Sequence, residues 1–301
     1  MRRAFFAVVS VVSVVVIGLA APAQAQMYES VGIRAQGMGG AFVAVADDST
    51  ATWWNPAGVA PGPYFDLVAE YAHPDAANQN QYSFSVAFPA LGLSYYRLPI
   101  SQMQPPTSTG GSLSTRQDQG YLSQFGATVG QSLGSLVVAS TVKVLNAGGD
   151  THVDLDVGAL LRVRHVRAGI SLRNLHETTF SGGTPNAFEL KRVARAGVAV
   201  TGSPGGVSIT GSADADLTSV QTVVGEERHI AGGVELWLWK RIIGVRGGLA
   251  HETNHSVNSQ SGGLSLMALS GQYLKTYVDG QWTGGSDLVR RGWGLDLRLT
   301  F

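Results

Sequence analysis

The sequence contains no cysteine, few charged residues and, beyond its first 20 positions, no long apolar run. Without cysteine there are no disulfides, no thiolate nucleophile and no thiolate metal site. The 21 basic and 21 acidic residues balance, so no basic excess points to nucleic acid. The missing second apolar run argues against a bundle of membrane helices. With only 14% charged residues and 39 glycines, the chain is also unlike an ordinary soluble domain.

The one long apolar run lies at the N-terminus and is typical of an export signal. Arg2 and Arg3 precede an apolar stretch over residues 4–19, and the small residues Ala23 and Ala25 frame a cleavage site. We therefore expect residues 1–25 to be a signal peptide. An N-terminal membrane helix is the alternative, since the run is almost long enough to span a bilayer. No cysteine follows the cleavage site, which excludes a lipid anchor there.

From Phe65 onward, apolar and polar residues alternate with period two, which predicts β-strands. The pattern is clearest at the C-terminus, where one face carries Trp293, Leu295, Leu297, Leu299 and Phe301 and the other carries Gly292, Gly294, Asp296, Arg298 and Thr300. One face suits lipid and the other a polar lumen. A soluble β-sandwich gives the same alternation with its charges outside. The composition favours an all-β fold, a transmembrane antiparallel β-barrel over residues 65–301.

The alternating segments predict about fourteen strands, an even number as closed single-chain barrels require. We place them at 65–73, 81–88, 91–98, 119–131, 135–146, 151–163, 166–174, 188–201, 206–214, 227–239, 242–251, 260–269, 272–282 and 291–301. Their connections alternate between short turns and longer loops, the longest at 99–118. This predicts that both termini and the short turns face the periplasm.

The predicted lumen face carries charges of both signs. A pore selective for one ion type would favour one sign, so we expect these side chains to pair with one another and with the N-terminal segment. They are Glu70, Lys143, Asp154, Asp156, Arg162, Arg167, Arg173, Glu189, Lys191, Arg195, Asp216, Glu235, Arg246, Lys275, Asp279, Asp296 and Arg298.

Residues 32–61 have the pattern of neither a strand nor a long helix, and they predict a compact, irregular element that needs a surrounding wall. The residues that define it are three glycines, a pair of aspartates and a turn: Gly37, Gly39, Gly40, Asp47, Asp48, Asn55, Pro56 and Ala57. The glycines allow only a short, tight segment. We expect both aspartates and Asn55 to hydrogen-bond nearby backbone amides. Trp53 and Trp54 either contact an apolar cargo or pack the element against its wall.

Two stretches of the sequence resemble enzyme motifs, but neither meets the requirements of its motif. Residues 251–255 match the zinc-protease pattern H-E-x-x-H, which holds a metal only on a helix. Here it follows a strand, and neither Glu nor His occurs after His255 to complete the ligands. The run at 37–40 is not G-x-G-x-x-G, because residue 42 is Phe. The sequence therefore predicts no enzyme, no metal and no cofactor.

The stretch from 32 to 60 also resembles a known family. R-A-x-G-M-G-G-A-F-V-A-V-A-D-D, followed by N-P-A, is similar to the N-terminal plug of the FadL superfamily of outer-membrane barrels. It is most similar to the shorter PorV/PorQ-type branch. Beyond residue 60 the resemblance is one of pattern only. It implies that residues 26–64 form a plug inside a barrel in the bacterial outer membrane, in contact with the lipid bilayer and lipopolysaccharide.

The resemblance also implies a function. FadL-type barrels let small hydrophobic molecules, fatty acids or hydrocarbons, cross the outer membrane passively. PorV-type barrels instead handle exported proteins together with secretion components. A barrel with a purely structural role is a third alternative. The sequence contains no motif that separates them.

Overall fold

The computed structural model describes residues 31–75, 79–99, 120–180, 188–222, 225–253, 257–286 and 290–301. The predicted signal peptide, residues 1–25, and all but the first residue of the predicted loop at 99–118 lie outside the described residues.

The described chain begins with short helical elements and continues as β-strands. The helices are α1 (Ile33–Gly37), α2 (Ala51–Trp54) and two 3₁₀ turns (Pro56–Gly58 and Pro204–Gly206). The strands are β1 (Asp66–Pro74), β2 (Gln81–Phe88), β3 (Leu91–Pro99), β4 (Tyr121–Leu133), β5 (Leu136–Ala147), β6 (Asp150–Val163), β7 (Val166–Arg173), β8 (Thr178–Phe180), β9 (Phe188–Leu190), β10 (Val193–Gly202), β11 (Ser208–Asp216), β12 (Val220–Thr222), β13 (Gly225–Glu227), β14 (His229–Leu238), β15 (Ile243–Glu252), β16 (Val257–Ser270), β17 (Lys275–Gly285) and β18 (Gly292–Thr300).

Fourteen of these strands close into one antiparallel barrel. Each barrel strand pairs with its neighbours along the chain, and β1 closes the ring against β18 from Asp66↔Thr300 to Pro74↔Gly292. Phe65 and Phe301 exchange backbone hydrogen bonds of 3.0 Å just below this seam. Closure leaves no unpaired edge, as a strand structure in lipid requires. The predicted fold class and strand number are therefore confirmed.

The predicted alternation along the strands is also confirmed. In β18, Trp293, Leu295 and Leu297 are 41 to 49% exposed, while Asp296 and Arg298 are 7% exposed. Exposed apolar side chains on the outer face are stable only against lipid. Among the residues described, no helix is long and apolar enough to cross a membrane.

The predicted strand at 188–201 is wrong at its beginning. Phe188–Leu190 is a separate strand that pairs with β8 in a small hairpin, and the barrel strand begins at Val193. A second hairpin, β12 with β13, lies in the next long connection. Both hairpins belong to the rim of longer connections. The opposite rim holds only short turns, such as Phe88 to Leu91 and Leu133 to Leu136.

Candidate functional site

Residues 31–59 of the N-terminal segment are buried within the barrel. Almost every side chain from Val31 to Val59 is buried. Hydrogen bonds from this stretch reach β1, β2, β3, β6, β7, β11 and β14. Since those strands lie on opposite sides of the closed ring, the segment contacts the wall in several directions.

Arg34 on α1 joins the segment to the wall by charge. Its Nε and Nη2 donate to the two oxygens of Glu235 on β14, at 2.7 and 2.6 Å. Its Nη1 donates to Asp47 at 2.5 Å and to Asp48 at 3.1 Å. Arg34, Asp48 and Glu235 are all nearly inaccessible to solvent. A bidentate pair in which every guanidinium nitrogen donates to a carboxylate satisfies the buried charge.

The partners of Asp47 correct one sequence expectation. Asp48 accepts the backbone N–H of Thr50, as predicted, at 3.0 Å. Asp47 instead contacts the guanidinium groups of Arg34 and, at 3.3 Å, Arg167 on β7. Partial burial opposes its charge, but the two guanidiniums hold the pKa of the Asp47 carboxyl well below its ordinary value. Asp47 is therefore ionised and bridges the segment to the wall.

Wall carboxylates also accept backbone amides of the segment. Asp214 on β11 accepts the N–H groups of Phe42 and Val43, both at 2.7 Å. Glu70 on β1 accepts those of Gly32 and Ile33 at 3.2 and 2.8 Å. Irregular backbone leaves such groups without strand or helix partners, and leaving them unpaired in a buried site costs free energy. The inward acids therefore replace the hydrogen bonds that a regular element would make itself.

Asn55 makes three hydrogen bonds at the second predicted turn. Its Oδ1 accepts the N–H of Ala57 at 3.1 Å, the local cap expected from the sequence. Its Nδ2 donates to Val43 O at 2.9 Å and to Ala159 O on β6 at 3.1 Å. Pro56 begins the 3₁₀ turn that follows. The Asn-Pro-Ala turn is thus tied both to the rest of the segment and to the barrel.

Glycines on the inner wall let the segment approach the strands closely. A Cβ on Gly158 would lie 2.1 Å from Asn55 Oδ1, one on Gly233 2.4 Å from Met38 O, and one on Gly248 2.1 Å from Met38 C. Gly39 and Gly40 have φ of 71 and 81°, a backbone conformation that glycine adopts without strain. We call Gly158, Gly169, Gly233 and Gly248 the glycine band.

An apolar stripe leads from the rim of longer connections to the tryptophans. It consists of the inward side chains of Tyr96, Leu98, Leu122 and Leu145 with Phe180 and Leu190 of the β8–β9 hairpin, each at most 2% exposed. Leu98 and Leu122 are register partners. Trp53 meets Tyr96 edge to face at 5.1 Å. The stripe therefore places a continuous set of apolar side chains beside buried polar and charged groups of the same wall, such as Gln124 and Lys143.

Both tryptophans pack within the barrel. Trp53 lies under the Arg173 guanidinium, 3.8 Å from its ring centroid, and Trp54 Nε1 donates to Val31 O at 3.0 Å. Packing against the wall, one of the two sequence interpretations, is thus observed. Trp53 also stands at the inner end of the apolar stripe.

The sequence did not single out Arg34 or Asp214, which hold much of the segment in place. Arg34 is the one basic residue between positions 26 and 64. An isolated cation among apolar residues indicates a buried carboxylate partner. Its partner Glu235 lies 201 positions away, a distance that no local pattern spans.

The described residues of the zinc-protease pattern lie on a strand and not on the helix that the pattern requires. His251 and Glu252 lie on β15, where successive side chains point to opposite faces. His251 is hydrogen-bonded to Asn258 at 2.9 Å, and Glu252 to His229 at 2.8 Å. His255 lies outside the described residues. Within those residues no cluster of three metal-ligating side chains occurs.

Comparisons with known proteins identify solved structures with a similar fold. No protein-family model and no curated protein sequence matches the chain. Among solved structures it is similar to the toluene transporter TbuX of Ralstonia pickettii, at 12% identity, TM-score 0.58, and coverage of 90% of this chain and 98% of that one. A FadL homologue of Pseudomonas aeruginosa gives 9% identity, 91% and 98% coverage, and TM-score 0.56.

A third similar structure is the toluene transporter TodX of Pseudomonas putida, at 11% identity, with 92% and 98% coverage and TM-score 0.55. At such identities the likeness concerns the fold. The fold expected from the FadL-type resemblance is therefore found, whereas the PorV/PorQ branch stays a prediction.

Proposed function

We propose that the chain is a bacterial outer-membrane channel through which small hydrophobic molecules cross passively, with residues 26–64 as its plug. The apolar stripe carries this proposal. An apolar solute that moves along the stripe contacts leucine and aromatic side chains instead of charged groups. An apolar solute that leaves water there gains about 25 cal/mol per Å² of surface that it buries.

The fold neighbours support the same class of cargo. TbuX and TodX are named as toluene transporters. An aromatic hydrocarbon would make favourable contacts with the leucine, tyrosine and tryptophan side chains of the apolar stripe and its inner end. We assign Trp53 and Trp54 as candidate cargo contacts, because Trp53 ends the stripe and Trp54 packs beside it on α2.

The anchoring of the segment favours local rearrangement during transport. Removing the whole plug would separate Arg34 from Glu235 and Asp47 from Arg167, and it would expose the amides that Asp214 and Glu70 accept. Breaking one buried ion pair alone costs about 3–5 kcal/mol. Transport is passive, so thermal energy must suffice, and movement around Asn55 to Ala57 or of the β8–β9 hairpin is less costly than ejection.

Uptake measurements on cells test the proposal. We expect the protein to raise uptake of labelled toluene in a host that lacks such a channel, and Leu145→Ser to lower that uptake several-fold because a hydroxyl replaces apolar contact. Val137→Ser is the matched control, since Val137 is buried on the same strand but packs near Ala57 and Leu160, away from the stripe. Uptake that responds to neither the protein nor Leu145→Ser would contradict the proposal.

That negative result would favour the alternative derived from the sequence resemblance. A PorV-like barrel would show no effect on toluene, and cross-linking in cells would instead trap exported proteins or secretion components.

A further inference from the structure

One polar side chain lies within the apolar stripe. Gln124 on β4 is flanked by stripe residues of both neighbouring strands, since its register partners are Tyr96 on β3 and Leu145 on β5. Leu122, two positions nearer the rim of longer connections, points to the same face of the strand. Both Leu122 and Gln124 are 0% exposed. Cargo that moves along the stripe toward Trp53 therefore passes the Gln124 amide.

The Gln124 amide is buried, and among the residues that the structure describes neither its Nε2 nor its Oε1 has a hydrogen-bond partner. The nearby cation is engaged elsewhere. Lys143, two positions before Leu145 on the inner face of β5, directs its Nζ to Asp156 and Asn174, both at 2.6 Å. A buried amide without a partner costs free energy, and most buried polar groups of native proteins are paired. Gln124 is thus a candidate for contact with a ligand.

A second polar group of this kind lies at the inner end of the stripe. Within the described part of the chain, Nε1 of Trp53 is buried and makes no hydrogen bond. The Trp53 ring meets Tyr96 edge to face at 5.1 Å, so the indole and the Gln124 amide adjoin the same tyrosine. The Tyr96 hydroxyl is itself engaged, since it shares a hydrogen bond of 2.6 Å with Thr52 Oγ1. The donors and the acceptor of Gln124 and Trp53 are therefore grouped around Tyr96.

The chemistry of this group indicates which ligand it suits. A hydroxyl donates to Gln124 Oε1 and, through its own oxygen, accepts from Gln124 Nε2 or Trp53 Nε1. A ketone or an ether only accepts, so it leaves Oε1 without a donor. A carboxylate also only accepts, and burying its charge among leucines costs free energy. An uncharged hydroxyl is therefore the group that satisfies both atoms of the amide.

We propose that Gln124 and Trp53 form a recognition point for phenols, that is, uncharged aromatic molecules with a hydroxyl group. The Gln124 amide and the Trp53 N–H hold the hydroxyl, and the ring lies against Leu122, Leu145 and Tyr96. This inference rests on the proposed function, because the ligand reaches the recognition point along the apolar stripe. It adds selectivity to that function: between two molecules of equal size, the channel favours the one that carries a hydroxyl.

Two probes of nearly equal shape test this selectivity. They are p-cresol and p-xylene, in which a hydroxyl of the first takes the place of a methyl group of the second. Both are titrated by calorimetry against the purified, full-length barrel in phosphatidylcholine nanodiscs, with empty nanodiscs subtracted. At neutral pH a phenol is uncharged. We expect the parent to bind p-cresol about tenfold more tightly than p-xylene or better, because only p-cresol pairs with the buried amide.

Gln124→Met is the main variant, because methionine keeps the length of the side chain and removes the amide. It should lower the ratio of p-cresol to p-xylene affinity by about tenfold. Trp53→Phe keeps an aromatic ring, removes the N–H and should lower the ratio in the same direction. A general loss of packing would weaken the binding of both probes and leave the ratio unchanged, so the ratio reports on the hydrogen bonds.

Gln131→Met is the matched control, because Gln131 is exposed on the same strand and donates to Ser132 O. It should leave the ratio unchanged, and gel mobility before and after heating verifies that every variant is folded. A ratio near one in the parent would overturn the inference. So would an equal ratio in Gln124→Met and the parent. If p-cresol is not preferred but the protein still raises toluene uptake, this inference fails and the proposed function stands.

Discussion

At the scale of single residues, Arg34 holds the most concentrated charge network in the lumen. One guanidinium meets Glu235, Asp47 and Asp48, and Arg246 approaches Glu235 from the other side at 3.7 Å. A planar guanidinium can serve three carboxylates because its five donors point in fixed directions. Lysine in its place would supply the charge without the two parallel hydrogen bonds to Glu235.

Replacing Arg34 tests how strongly this network holds the segment. Arg34→Met leaves buried carboxylates without their cation, and we expect a loss of about 3–5 kcal/mol of folding free energy. The measurement is the temperature at which the folded band disappears in gel mobility. Adding Glu235→Gln to Arg34→Met should restore part of the loss, because it removes one of the stranded charges. Unchanged stability in Arg34→Met would show that the network contributes little.

The same residues show what local sequence predicts. The cap of Asn55 on Ala57 and that of Asp48 on Thr50 act over two positions, and turn chemistry predicts them. The predicted backbone partners of Asp47 were wrong. Asp47 contacts Arg167, which lies 120 positions away in the sequence, beyond the reach of a local pattern. Lumen charges were expected to pair, and several do, such as Lys143 with Asp156 and Arg195 with Asp216, but two acids, Asp279 and Asp296, are register partners of each other. The sequence cannot specify which strand brings each partner.

At the scale of elements, the glycine band fixes the distance between segment and wall. Gly247 and Gly248 are neighbours on β15 and face opposite sides. A Cβ on Gly248 would lie 2.1 Å from Met38 C, whereas one on Gly247 has Ser261 O as its nearest neighbour at 3.8 Å. Gly248→Ala should therefore destabilise the barrel by about 1–3 kcal/mol through overpacking, and Gly247→Ala should be nearly neutral.

Limited proteolysis and heating distinguish the two glycine variants. In Gly248→Ala the added methyl group must displace backbone, so we expect the N-terminal segment to become susceptible to protease and the transition in gel mobility to move to lower temperature. Gly247→Ala should behave as the parent in both assays. Identical behaviour of the two variants would mean that the segment has room to move away from β15.

The prediction of strands from the sequence succeeded where one face meets lipid. In β18, alternation gives the face of every residue. The prediction failed at 188–201. Residues Phe188–Leu190 have a strand-like composition, but they pair with β8 in a separate hairpin and not with a strand of the barrel sheet. Lys191 and Arg192 interrupt the alternation of apolar and polar residues between the two strands. Barrel strands that carry inward charges show similar interruptions, so the sequence does not mark this boundary. Which strand pairs with which neighbour is a long-range property, and periodicity does not contain it.

At the scale of the whole molecule, the two rims differ in the length of their connections. Barrel strands on one rim are joined by short turns, and a cavity of about 640 Å³ opens toward that rim. The other rim has the two hairpins and the outer end of the apolar stripe. If cargo moves from the outside inward, it meets the stripe first, the segment next and this cavity last. This order requires the short turns to face the periplasm, as the connection lengths predict.

Single cysteines test this orientation with no background, because the chain contains none. Ser203→Cys places a thiol on a short turn, and Thr151→Cys places one at the opposite rim, where β6 begins. Both positions are exposed. We expect a membrane-impermeant maleimide to label Thr151→Cys on intact cells and Ser203→Cys only after the outer membrane is permeabilised. The converse pattern would invert the barrel and place the cavity beside the short turns at the cell surface. Incoming cargo would then meet this cavity first, and the order of steps proposed for transport would be reversed.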